Sequence, residues 1–296
     1  MFLQSSAIQI RDPFILPVER EGLYYLYGTT DPNCWGEQAV GFDAYTSKDL
    51  QEWEGPIPVF RPEPGFWADR NFWAPEVFSY NGGYYMLASF KAEGVCRGTQ
   101  ILVAETPAGP FTPHSQGPVT PRDWECLDGT LHLDRQGDSW LVFCREWVQI
   151  VDGEIWAQRL DRNLQRTVGV PVLLFKASTA PWSRPLRRRF DGVEKDGFVT
   201  DGPFLYQTAG RELLMLWSSW GEEGYALGIA RSADGKILGP WRHEAEPLYK
   251  QDGGHGMVFT TFDGRLMLTL HSPNRTPEER PRFFPLTENN GRLKIG

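Results

Sequence analysis

The sequence predicts an all-β chain folded as a five-bladed β-propeller, and three observations carry that expectation. A glycine-led strand recurs five times along the 296 residues, and a short strand with one polar residue precedes each copy. A further strand follows in four of the five units. The composition agrees: 12 Trp, 18 Phe and 10 Tyr suit strands, while 31 Gly and 23 Pro punctuate many tight turns.

The glycine-led strands are Gly22 with LYYLYGTT, Gly82 with GYYMLASF, Gly137 with DSWLVFCRE, Gly210 with RELLMLWSS and Gly264 with RLMLTLHSP. Each carries six to eight β-branched, aromatic or aliphatic residues after a turn. Their spacings of 60, 55, 73 and 54 residues are loose but regular in form. The upstream strands are IRDPFIL (10–16), WAPEVF (73–78), CLDGTLHL (126–133), VTDGPFLY (199–206) and GGHGMVF (253–259). The downstream ones are VGFDAYTSKDLQEW (40–53), ILVAETPAGPF (101–111), IWAQRLDRNLQ (155–165) and LGIARSADGKILGPW (227–241). With a closing strand, each unit holds about four strands in roughly 50 residues, the form of a propeller blade. A β-sandwich would leave the fivefold recurrence unexplained. The five units account for residues 1–296 as one domain. No segment reads as a helix longer than a turn or two. Residues 176–198, with three consecutive Arg and no period, read as a long loop before the fourth blade.

Charge and cysteine content narrow the function classes. The formal net charge is −8, which argues against nucleic acid or an anionic membrane as partner, since both need a cationic footprint. No apolar run approaches a membrane span, and the opening MFLQSSAIQIRDPF has neither the basic nor the apolar region of a signal peptide. Cys34, Cys96, Cys126 and Cys144 lack metal-ligand spacing, so we expect four reduced thiols in a cytoplasmic protein.

The upstream strands place chemistry at the axis. In a propeller the first strand of each blade lines the central channel, and the polar residues of these strands are Asp12, Glu76, Asp128, Asp201 and His255. Singly, each Asp in a DP or DG pair reads as a turn residue bonding its own backbone. Glu76 could satisfy an Arg, and His255 could be a hydrogen-bonded core residue. Together they bring several ionisable groups to one region, which is costly unless they bind something or tune one another.

In order, RDPFI (11–15), WAPE (73–76), LDGTL (127–131), DGPFLY (201–206) and GHGM (254–257) resemble glycoside hydrolase family 43. The resemblance implies a five-bladed propeller and an inverting hydrolase of oligosaccharides or glycosides. Terminal arabinofuranosyl, galactofuranosyl or xylosyl units of plant or microbial glycans are the implied substrates. It implies Asp12 as general base and Asp128 as the aspartate that tunes the acid. Asp201 stands where the family usually has the acid Glu, one methylene longer, so Glu76 or Glu194 is the alternative proton donor. Trp73 and Ala74 match the pocket floor, Glu76 lies beside them, and Arg280 in ERPRFFPL matches a substrate-contacting Arg. His255 matches a histidine near an axial metal or water cluster. No cofactor is required for the chemistry, and a structural calcium or sodium ion is implied at the axis. Trp35, Trp67, Phe72 and Trp73 are candidates for stacking on sugar.

Three other readings stay open. A retaining, invertase-like glycosidase would use Glu125 of the EC pair as its acid. A phosphorylase would need the Arg187–Arg188–Arg189 run to hold phosphate. A non-catalytic propeller would use its aromatics and acids only to bind sugar.

Overall fold

Five runs of alternating β-branched and aromatic residues, each broken by Gly-containing turns, pair with their sequence neighbours and give five antiparallel sheets around one axis. The computed structural model describes residues 2–32, 34–36, 38–190 and 193–296, with backbone only for Arg189, Phe190 and Val193. Blade I contains β2 (Arg11–Val18), β3 (Leu23–Thr29), β4 (Phe42–Ser47) and β5 (Glu52–Phe60). The leading strand β1 (Phe2–Gln4) adds to its outer edge on β5. Blade II contains β6 (Arg70–Tyr80), β7 (Gly83–Ala92), β8 (Val95–Ala104) and β9 (Thr112–Pro113). Blade III contains β10 (Cys126–Leu133), β11 (Ser139–Arg145), β12 (Glu154–Leu160) and β13 (Thr167–Lys176). A hairpin, β14 (Leu186–Phe190) and β15 (Val193–Gly197), precedes blade IV. Blade IV contains β16 (Asp201–Gln207), β17 (Leu213–Gly221), β18 (Gly224–Ser232) and β19 (Trp241–His243). Blade V contains β20 (Gly254–Thr260), β21 (Leu266–Ser272), β22 (Arg280–Asn289) and β23 (Arg292–Ile295).

The five-bladed expectation holds, with one difference. Residues 176–198 are not only loop: β14 and β15 pair in register from Leu186↔Gly197 to Phe190↔Val193. The described side chains Arg187, Arg188, Glu194, Lys195 and Asp196 of this hairpin are exposed, in keeping with its lack of an apolar period. As expected, the α-helical content among the described residues is the single turn Trp147–Ile150. No described helix is long and apolar enough to cross a membrane.

Apolar side chains fill the seams between blades. One cluster runs from blade V through blade I to blade II, joining Met257, Phe259 and Met267 to Ile8, Tyr27, Phe42, Phe72 and Phe90. Separate clusters fill the II–III, III–IV and IV–V seams. Neighbouring Cys126 and Cys144 point into different seams, so alternation along the strands keeps them apart. All four cysteines are free thiols.

At the axis every innermost strand carries the same irregularity. Pairing with the second strand slips between Arg11 and Phe14, Trp73 and Glu76, Leu127 and Thr130, Asp201 and Phe204, and Gly254 and Met257. Within each slip one residue is left-handed: Asp12, Ala74, Asp128, Gly202 and His255, with φ of 54°, 47°, 54°, 53° and 49°. Such bulges re-aim a side chain and end regular pairing.

The III–IV seam is tightly packed around Trp182, which is 5 % exposed. A Cβ added at Gly228 would lie 2.1 Å from the Trp182 ring. Gly228→Ala is therefore expected to destabilise the fold by about 1–3 kcal/mol through overpacking. Gly210→Ala, whose Cβ would have no neighbour nearer than 3.9 Å, serves as the control. Thermal denaturation reads both, and equal melting temperatures would refute the packing account.

Candidate active site

The bulges decide which side chains meet. Asp12, Asp128 and His255 hold the same left-handed position in blades I, III and V. Blades II and IV have Ala74 and Gly202 there. The sequence alignment of five polar residues therefore needs correction in two blades. Asp201 sits one residue before the bulge residue, and Glu76 sits two after it, because the polar side chain in those strands is not the one at the left-handed position.

A cavity of about 700 Å³ opens over this end of the axis, and Asp12, Asp128, Asp201 and His255 line it with Trp73. His255 is the hub. Its Nδ1 lies 3.1 Å from Asp12 Oδ1 and 3.6 Å from Asp128 Oδ2. Asp12 also accepts from Thr29 Oγ1 at 2.7 Å through its other oxygen. Asp128 Oδ2 accepts the Gly202 N–H at 2.9 Å. Asp201 Oδ2 accepts from the Tyr225 hydroxyl at 2.9 Å.

These contacts split the protonation states. Burial alone would lower the His255 pKa, but Asp12 and Asp128 raise it to about 10, so the ring is an imidazolium at neutral pH. Burial would raise Asp12, yet the charges of His255 and Arg11 hold it well below the usual carboxylate range. Asp128 goes up to about 7, through burial and then the charges of Asp201 and Asp12. Asp201 is also raised, by burial and by Asp12, against the pull of His255 and Tyr225. One carboxylate is thus held as an anion beside two whose pKa values are pushed upward.

A second layer was not apparent from motifs. His271 Nδ1 accepts the Asp12 N–H at 3.1 Å, and its Nε2 donates to Asn274 Oδ1 at 3.1 Å. That makes it a neutral ring, consistent with burial and Arg11 lowering its pKa to about 3. Arg11 joins Asn274 at 2.6 Å and Glu279 at 2.7 Å, and packs over Trp35. On the opposite wall Arg97 pairs with Glu146 and lies 4.0 Å over the Trp73 ring. Trp73 Nε1 donates to the Cys34 carbonyl at 2.7 Å. Tyr225, Arg97 and Glu146 carry no dipeptide signature. His271 did leave a trace: it stands seven residues after Gly264, as Thr29 does after Gly22 and Ser89 after Gly82.

Other expected positions lie elsewhere. Arg280 is outside the cavity and donates to the carbonyls of Ser6, Pro277 and Glu279 at 2.7–2.9 Å. It fastens the leading segment to blade V, because its strand is the third of the blade and far from the axis. Glu76 is buried beneath the cavity, where desolvation and Asp128 raise its pKa to about 8. Ala74 is buried and gives its N–H to Thr29 at 2.8 Å. Phe72 belongs to the core, Trp67 borders a different cavity, and Trp35 stands half exposed at the axial rim. Glu125 is tied to Lys91 at 2.7 Å and held ionised against burial, which opposes a role as acid. Glu194 lies exposed on the hairpin. Arg187 pairs with Asp196, Arg188 reaches the cavity, and the Arg189 side chain lies outside the described residues.

Residues 6–289 match the glycosyl hydrolases family 43. The chain belongs to that family. It is a glycosidase of the inverting type acting on glycans. The endo-arabinase of Bacteroides thetaiotaomicron superposes with a TM-score of 0.90 at 43 % identity, covering 98 % of each chain. The extracellular exo-α-(1→5)-L-arabinofuranosidase of Cellvibrio japonicus is 24 % identical over 90 % of this chain and 80 % of its own. A xylosidase/arabinosidase of Butyrivibrio fibrisolvens is 28 % identical over 56 % of this chain and 29 % of its own.

Within this family-43 site the His255 ring rests on Gly202, where a Cβ would come within 2.6 Å of its Cγ and Cδ2. Gly202→Ala is expected to push the imidazolium off Asp12 and lower kcat by about 10²-fold, the usual effect of a misplacement near 1 Å. Steady-state rates on a nitrophenyl glycoside check it, and a wild-type rate would refute the contact as a constraint.

Proposed function

We propose that the enzyme releases terminal α-L-arabinofuranosyl units from arabinan-type glycans, with Asp12 as general base, Asp201 as general acid and Asp128 setting the acid's pKa. The observation that carries this reading is the split among three carboxylates in one cavity, one ionised by His255 and two kept toward neutrality by burial. Ionised Asp12 takes a proton from the attacking water as the new C–O bond forms. Neutral Asp201 gives its proton to the glycosidic oxygen as the old bond breaks on the opposite face, and the anomeric centre inverts. The Tyr225 bond to Oδ2 leaves Asp201 Oδ1 to carry that proton. This offers a way for the shorter side chain to serve where the family usually has Glu.

The names of the endo-arabinase and the exo-arabinofuranosidase support the sugar, and the xylosidase/arabinosidase makes β-xylosides the comparison substrate. The hairpin residues Leu186 and Arg188 wall one side of the cavity, which supports action on a chain end. The four free thiols support a reducing compartment, while the Cellvibrio relative is named extracellular. An ion ligated directly by His255 Nδ1 does not fit: that nitrogen faces Asp12 and Asp128 with its proton. Among the described residues no three His, Cys, Asp or Glu side chains form a metal-holding group.

Two experiments test the roles. Asp12→Asn should lower kcat by about 10²–10⁴-fold on every substrate. Asp201→Asn should nearly abolish cleavage of arabino-oligosaccharides yet keep much of the rate on a dinitrophenyl arabinofuranoside, whose leaving group needs no proton. Equal loss on both substrates would remove Asp201 as the acid and turn attention to Glu76.

Asp128→Asn keeps an oxygen for the Gly202 N–H but deletes the carboxyl group that, once it ionises above about pH 7, places a negative charge beside Asp201. A neighbouring anion raises a carboxyl pKa, so its removal lowers that of Asp201. The alkaline limb of kcat/KM, where the acid loses its proton, should move to lower pH in this variant. A limb that stays in place would refute the tuning role.

A further inference from the structure

A second cavity, of about 810 Å³, lies between the outer parts of blades I and II and has no part in the carboxylate chemistry. Its wall is largely apolar, with Phe60, Phe66 and Trp67 on one side and Pro113 and Pro118 on the other. Arg97 borders both this groove and the axial cavity, so the two meet across the tip of the β7–β8 hairpin. We infer that this groove holds the part of the glycan beyond the bond being cleaved, as a run of neutral sugar units leading away from the axis. The inference rests on the proposed glycan-cleaving function and names where the rest of that substrate lies.

Three features favour this occupant. Trp67 is a fixed platform: its Nε1 donates to Gln100 Oε1 at 2.5 Å, and Gln100 Nε2 donates to the Ser115 carbonyl at 3.0 Å. The ring also packs edge-on against Phe90. A held, half-buried indole gives the C–H face of a sugar ring apolar contact at little entropic cost.

The polar groups at the rim match hydroxyls better than a charged ligand. Arg61 is already paired with Asp43, and exposed Glu63, Gln116 and Arg122 offer one anion, one amide and one cation. That mixture has no excess of either sign.

The third feature is continuity. Val95, 44 % exposed at the hairpin tip, belongs to the groove, while Lys91 of the same hairpin lines the axial cavity. A chain whose end enters the axial cavity meets the groove on leaving it over this hairpin.

The test compares linear arabinan with 4-nitrophenyl α-L-arabinofuranoside, which is too short to reach the groove. Trp67→Ala should lower kcat/KM on arabinan about tenfold through KM, with the nitrophenyl substrate unaffected; tenfold corresponds to about 1.4 kcal/mol of lost contact. Trp67→Phe keeps a ring and should retain most of the polymer rate. Independently of turnover, Asp12→Asn protein should be retarded in an arabinan-containing native gel, and adding Trp67→Ala should abolish the retardation. Equal loss on both substrates, or unchanged polymer kinetics and unchanged retardation, would overturn the inference. Should the wild type cleave neither substrate while Trp67-dependent retardation persists, the proposed activity falls and the groove stands.

Discussion

The architecture depends on how five orphaned backbone N–H groups at the axis are satisfied. A left-handed residue in each innermost strand turns its N–H out of the sheet ladder, and a buried donor without an acceptor is costly. In four seams the acceptor is a side chain on the second strand of the preceding blade. His271 receives Asp12, Thr29 receives Ala74, Ser89 receives Asp128 and Ser218 receives His255, at 2.8–3.1 Å. Each acceptor pairs across its own strand ladder with the residue just before its own bulge, as Thr29 does with Arg11. The bonds therefore run around the ring from blade to blade. In the remaining seam the equivalent residue is Cys144, opposite Leu127, and a thiol is a weak acceptor. There the Gly202 N–H goes to Asp128 instead. A carboxylate of the site thus completes the ring, which fixes its position as firmly as the backbone fixes Gly202.

The same ring concentrates negative charge, and His255 is the counterweight. Three buried aspartates could not all ionise side by side without a cation. The imidazolium sits between two of them, in the place where a polar side chain at the left-handed position of blade V must point. Around the rim, Arg11 with Glu279, Lys91 with Glu125 and Arg97 with Glu146 are internally neutral pairs. They shape the cavity and hold Trp35 and Trp73 by cation–π contact without competing for His255. Asp12 consequently stays ionised through His255 and Arg11, while burial and the charges of Asp201 and Asp12 push Asp128 upward.

Fold and axis were legible because the repeat is written in local terms. Each blade is one continuous stretch, so glycine spacing and strand composition sufficed to count five. Asp12, Asp128 and His255 could be read because they share a left-handed site tolerated by Asp and His and signalled by a following Pro or Gly. Glu76 and Asp201 were misaligned because Ala74 and Gly202 carry the bulge without a polar side chain. Arg97 and Tyr225 enter from third strands and Glu146 from the turn after β11, and contacts so distant in sequence leave no spacing to read. Arg280 resembled a ligand-binding arginine, yet its guanidinium is spent on three carbonyls.

Closure of the ring links stability to catalysis. The leading strand joins blade I, and blade V is built from one uninterrupted segment, so among the described residues no shared strand locks the two ends together. They are held by packing and by a short polar seam: Ile10 N–H to the Glu279 carbonyl at 3.3 Å, Arg280 to the Ser6 carbonyl, Arg11 to Glu279 and Asn274, and Asp12 N–H to His271. Of the four side-chain acceptors around the ring, the imidazole is in this seam. Its neutral form can accept the Asp12 N–H only while Nε2 keeps its proton on Asn274, and Asn274 is held by Arg11. The residue proposed to activate water is thus anchored through its backbone to the last blade and through its side chain to Thr29 in its own blade and His255 in the last. Any loosening of the seam between the first and last blades would move Asp12 before it unfolded either sheet.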